Sequence, residues 1–119
     1  MCSSTCAYTI FLEEWARIPA DVDILMTHTP PSGVLDFAKC GANVGCPELG
    51  ERLKGLSQCR LHVFGHIHED HGVLVTKKIV EGKEFEFVSI NAALMRGGKA
   101  VIVDLKDEID DENTTDNVE

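Results

Sequence analysis

The chain is poor in basic residues and has no long apolar run. Lys and Arg total 11 against 20 Asp and Glu, and the longest basic stretch is Lys77-Lys78. Nucleic acid is held through clustered Lys and Arg, so it is not an expected partner. No apolar segment approaches the roughly 20 residues that a transmembrane helix needs, and no membrane association is expected. Residues 1–7 carry no basic residue ahead of their short apolar stretch, and Glu13-Glu14 follow. A secretory signal has a basic start and a longer apolar centre, so the expected location is cytoplasmic. Five cysteines are an odd number, and in a reducing compartment a disulfide framework is not expected. No internal repeat is present.

What the chain does contain suits one soluble domain: 119 residues, 44% hydrophobic and 26% charged. The formal net charge of -9 is concentrated at one end. Residues 107–119 hold seven of the 20 acidic side chains and no basic one. The remainder carries 13 acids against 11 bases, a net of -2. The acidic end reads as a disordered, solubilising tail, with a metal-collecting or partner-binding arm as the sharper alternative.

Apolar residues at 10, 11, 12, 15 and 16 predict a helix ended by Pro19. Residues 23–27 predict a buried strand that delivers His28 onto the loop opened by Pro30-Pro31. An irregular segment, 32–45, carries Gly33, Cys40, Gly41 and Gly45, and long loops in compact domains are often functional. Pro47, Glu48, Leu49, Leu53 and Leu56 predict a helix over about 47–56. Strands are predicted at 61–64, 73–75, 85–90 and 100–105, with turns at 81–83 and 97–98. The succession predicts an α/β fold with a mixed sheet.

Gly65-His66-Ile67-His68 follows the strand 61–64. On an extended backbone residues i and i+2 project to one side, and imidazole is the commonest metal ligand. His28 holds the equivalent place after strand 23–27. Neighbouring parallel strands bring such ends to one edge of the sheet, where α/β folds bind ligands. Three neutral nitrogens alone would suit zinc with an open position, and added carboxylates would suit a two-metal hydrolytic centre.

Taken in series, Asp23-Ile24-Leu25-Met26-Thr27-His28-Thr29-Pro30-Pro31, Gly45-Cys46-Pro47-Glu48-Leu49, Leu61-His62-Val63-Phe64-Gly65-His66-Ile67-His68-Glu69 and Ile90-Asn91-Ala92 closely resemble the calcineurin-like metallophosphoesterases, in the branch of the mammalian metallophosphoesterase-domain proteins. The resemblance runs from about residue 15 to 105. It implies the C-terminal half of an α/β/β/α sandwich over residues 1–106, followed by the tail. It also implies hydrolysis of a phosphomonoester or phosphodiester, with a small phosphoester or cyclic nucleotide as substrate. The implied cofactors are two divalent ions, manganese, iron or zinc. By the same resemblance His28 and His66 bind one metal and His68 the other.

The family's other motifs, an Asp-x-His, a Gly-Asp with the bridging carboxylate and a Gly-Asn-His with the catalytic histidine, do not occur in the chain. Two neutral imidazoles supply no charge to hold two cations close together. The isolated chain is therefore expected to bind at most one divalent ion, weakly, with negligible turnover. The alternatives are a non-catalytic metal- or partner-binding remnant and an incomplete gene model. A half-sandwich would also leave an apolar face and sheet edges uncovered, favouring self-association.

Simpler roles are open for the remaining candidates. His62 lies within a strand and reads as a core histidine or one that supports a ligand, and His71 as a solvated surface residue. Asn91 suits a turn or a hydrogen bond near the site. Cys40, Cys46, Cys59 and His62 show one close ligand pair, where a structural zinc site normally shows two.

Overall fold

A computed structural model describes residues 14–94 and 98–105. Its sheet contains β1 (Ile24–Met26), β2 (Leu61–Phe64), β3 (Gly72–Val80) and β4 (Lys83–Asn91), in the order β1-β2-β4-β3. β1 and β4 run parallel to β2, and β3 is antiparallel to β4. Helix α1 (Pro47–Lys54) connects the first two strands. The α/β class and the mixed sheet are as expected. The second sheet of the sandwich has no counterpart among the described residues.

Paired residues share a face, so Leu25, His62 and Ser89 lie on one side of the sheet together with Phe87. This is the side that α1 covers. Leu49, Leu53, Leu56, Cys46 and Cys59 form the core there, with Trp15, Ile18, Val22, Leu25 and Phe87 packed against it. Leu49 and Leu56 are fully buried, and each such side chain contributes about 1.5–3 kcal/mol. On the opposite face only Leu61 and Ile90 are buried. Ile24, Met26, Val73, Val75 and Ile79 of that face are exposed.

α1 starts at Pro47, whose missing N–H costs nothing at a helix start. It ends at Lys54, two residues before the predicted limit. Gly55 donates its N–H to Arg52 O, and the Lys78 ammonium binds the carbonyls of Leu53, Leu56 and Cys59, drawing the chain out of the helix. β3 and β4 are longer than predicted because the hairpin between them is tight. Glu81 and Gly82 both take positive φ, 52° and 80°, and Val80 pairs directly with Lys83. Two successive left-handed residues match the right-handed twist of the flanking strands.

Three expectations need correction. The strand predicted at 100–105 is not formed: these residues pair with no strand among the described residues, and Ile102 and Leu105 are exposed. An apolar, β-branched run favours a strand, but only a partner edge satisfies its backbone. Cys40 is disulfide-bonded, although no disulfide framework is expected from the sequence, whereas Cys46 and Cys59 are free. His71 is half-buried with its Nδ1 enclosed, because it leads directly into β3. The helix predicted at 10–17 is visible only as helical residues 14–16. Residues 1–13, the Gly97 side of the 97–98 turn and the acidic tail lie outside the described residues. No helix among the described residues is long and apolar enough to cross a membrane.

Candidate metal centre

The carboxyl ends of β1 and β2 meet at one edge of the sheet. Thr27 N–H donates to Val63 O, and Gly65 N–H donates to His28 O at 3.0 Å, extending the parallel ladder one step past each strand. The histidine after each ladder end is thereby brought to its neighbour. The rings of His28 and His66 lie 4.8 Å apart, centroid to centroid, with their planes at 49°. Both residues are exposed. With metal–nitrogen bonds of about 2.0–2.1 Å, two imidazoles on one ion must approach to about this separation.

His66 adopts a left-handed backbone, φ 71°. This is rare for a residue with a Cβ and persists only where surrounding contacts impose it. The turn continues into a short 3-10 helix, His68–Asp70. The backbone around His66 and His68 is thus not extended, so strand alternation does not decide where their rings lie. Among the described residues no three His, Cys, Asp or Glu side chains gather as a metal site. The separation of the His28 and His66 rings is compatible with a shared ion, and no third described side chain joins them.

His62 sits beneath this edge, fully buried. Thr27 Oγ1 lies 2.8 Å from Thr29 O and 2.9 Å from His62 Nε2. A carbonyl can only accept, so the single hydroxyl proton goes to Thr29 and His62 donates from Nε2. That network assigns the Nε2–H tautomer and leaves Nδ1 buried without a partner. Burial pushes the His62 pKa down to about 4, since an imidazolium loses its hydration there. The Thr27 bridge to Thr29 spans His28 and sets the path of the chain around it. Of the two readings of His62, burial beside the site holds, and its contact with the ligand-bearing loop passes through Thr27.

The irregular segment is closed at its base by a bridge between Pro31 and Cys46. Its centre is Asp36, fully buried, which accepts hydrogen bonds from Gly33 N and Gly45 N at 2.8 Å and from Asn43 Nδ2 at 2.6 Å. The loop is docked against the short helix that follows the histidine turn. Asp70 accepts from Phe37 N at 3.0 Å and Glu69 from Lys39 N at 2.6 Å. The Lys39 N–H holds the Glu69 carboxyl below its usual pKa. Neither Asp36 nor the acidic pair stood out in the sequence. The only available signal was a carboxylate set among loop glycines. Cys46 and Cys59 belong to the α1 core, and among the described residues neither joins a group of three metal-ligating side chains.

No family model matches this chain. It is similar to metallophosphoesterase domain-containing protein 1 of Homo sapiens, 55% identical over 64 residues, which are 53% of this chain and 20% of that protein. UPF0046 protein C25E10.12 of Caenorhabditis elegans is 41% identical over 87 residues, 70% of this chain and 28% of that protein. A protein named probable rhamnogalacturonate lyase C of Emericella nidulans is 44% identical over 59 residues, only 5% of its own length. The chain spans about a fifth of the length of the human relative. The metallophosphoesterase likeness carried by the motifs is thus found again, over part of a longer protein.

Proposed function

We propose that this chain, as part of a calcineurin-like metallophosphoesterase domain, contributes His28 and His66 to one divalent ion and His68 to a second. The observation that carries this is the pairing of the His28 and His66 rings at the ends of adjacent parallel strands. When bound, such ions polarise a phosphoester and stabilise the charge that develops on the transferring phosphoryl group. Manganese, iron and zinc all suit imidazole ligands, and the substrate class is a phosphomonoester or phosphodiester, cyclic nucleotides included.

The residues of the chain act on orientation and hydration. The Gly65–His28 backbone bond fixes the spacing of the two strand ends. The His62–Thr27–Thr29 series fixes the loop that carries His28. Glu69 and Asp70 bind the neighbouring loop through its backbone N–H groups. A bridging carboxylate is absent from the chain's motifs, so the isolated 119 residues bind at most one ion weakly and turn over negligibly. Calorimetric titration with manganese and with zinc, beside an assay on a chromogenic phosphodiester, tests this. Two tight sites, or robust turnover that His66→Ala abolishes, would refute it.

The second reading is a non-catalytic metal- or partner-binding remnant. The uncovered face bearing Met26, Val75 and Ile79 favours it. An in-frame upstream segment with Asp-x-His, Gly-Asp and Gly-Asn-His would support the enzyme instead, and a stop codon close upstream would support the remnant.

A further inference from the structure

The His66-Ile67-His68 turn and the loop over residues 31–46 lie outside the sheet ladder, yet each holds a non-glycine residue in the left-handed region, His66 at φ 71° and Leu35 at φ 51°. Such residues relax unless neighbouring groups hold them. One side chain reaches both. Asn91 Nδ2 donates to Ile67 O at 2.8 Å, between the two histidines, and to Leu35 O at 3.0 Å. Its Oδ1 accepts from Ala93 N at 3.0 Å, which turns the NH2 group toward the two carbonyls. Asn91 is fully buried at the end of β4, paired with Gly72 of β3 and Phe64 of β2. Every hydrogen-bonding position of that NH2 group is used, and water has no access to replace it.

We propose that Asn91 is the positioning residue of this centre: one buried amide holds the peptide between His66 and His68 and the loop at Leu35, so the two segments are ordered together. The assignment of the histidines rests on the function proposed above, but the coupling itself does not. Asn91→Asp keeps the shape and removes both donors, leaving the carbonyls of Leu35 and Ile67 facing a carboxylate.

The test is amide hydrogen exchange on the full chain without metal, read by nuclear magnetic resonance. In the wild type, both Asn91 side-chain protons should exchange slowly, and a ring contact should join His28 to His66. In Asn91→Asp, exchange across residues 33–45 and 65–68 should rise together by about tenfold or more relative to Val63 and Ile90, and the ring contact should be lost. Leu53→Ala, which weakens the α1 core and leaves the Asn91 hydrogen bonds to Leu35 and Ile67 in place, should keep the ring contact. The proposal is overturned if only residues 92–94 respond, if exchange rises uniformly, or if Leu53→Ala loses the ring contact equally. Should Asn91→Asp not fold, rapid exchange of the wild-type Asn91 side-chain protons overturns the proposal and slow exchange supports it. Because no arm uses a metal, failure of the chain to bind manganese leaves the outcome legible.

Discussion

Protonation of His62 should cost this fold a large share of its stability in mildly acidic solution. The imidazole is fully buried and neutral, with a pKa of about 4 against an ordinary value of 6.5. Above pH 6.5 it is neutral in both states and contributes its full stability. As pH falls below 6.5 the unfolded chain takes up a proton that the folded chain refuses, and the loss continues until about pH 4, where the folded state also protonates. A difference of about 2.5 pH units corresponds to about 3 kcal/mol, set against a typical domain stability of about 5–15 kcal/mol. Urea unfolding followed by fluorescence of Trp15, the sole tryptophan, between pH 7.5 and 4 measures the slope. His62→Gln retains a donor for Thr27 and does not titrate in this range, so its profile subtracts what the carboxylates contribute. The wild type should lose about 3 kcal/mol more than His62→Gln. Parallel profiles, or a His62 titration centred near pH 6.5, would refute the reasoning.

Other substitutions probe the elements around the site. Lys78→Met leaves the carbonyls of Leu53, Leu56 and Cys59 without their cation; a loss of about 1–3 kcal/mol is expected in urea unfolding, moderated by the half-exposed position and by Met covering Phe87. Asp36→Asn removes the charge and one acceptor: its remaining oxygen can still accept from Gly33 N and Gly45 N, but its NH2 group then faces Asn43 Nδ2. It should cost about 1–3 kcal/mol and speed proteolysis within residues 33–45. Gly45→Ala sets a Cβ into the Pro31 carbonyl, where backbone must move, and should lower stability by about 1–3 kcal/mol as measured by thermal unfolding. Gly33 has open space around it and φ +84°, so Gly33→Ala should cost only about 1 kcal/mol, and a reversed order would argue against this loop geometry.

Strands β1 and β2, helix α1 and the Glu81-Gly82 turn were legible in the sequence because each depends on local pattern: apolar runs, Pro47 ahead of Leu49 and Leu53, and a glycine between two strands. The histidine pair was legible by one further step, since parallel neighbours must end at the same edge. Residues 100–105 show where that logic stops. Their apolar, β-branched run equals that of a strand, but their backbone pairs with no strand among the described residues, and the availability of an edge is a property of the whole sheet.

The sequence by itself determined the types of the four strands and of α1, the family likeness and the absence of the bridging carboxylate motif, all of which are written in residue order. Only the tertiary structure decided that His66 turns left-handed toward His28, that His62 is neutral and Nε2-protonated, and that Asn91 reaches Leu35 and Ile67. Asn91 lies 56 residues from Leu35 and 24 from Ile67. Hydrogen bonds over such separations, and the burial that shifts a pKa, arise from proximity in space, and no periodicity along the chain encodes that proximity.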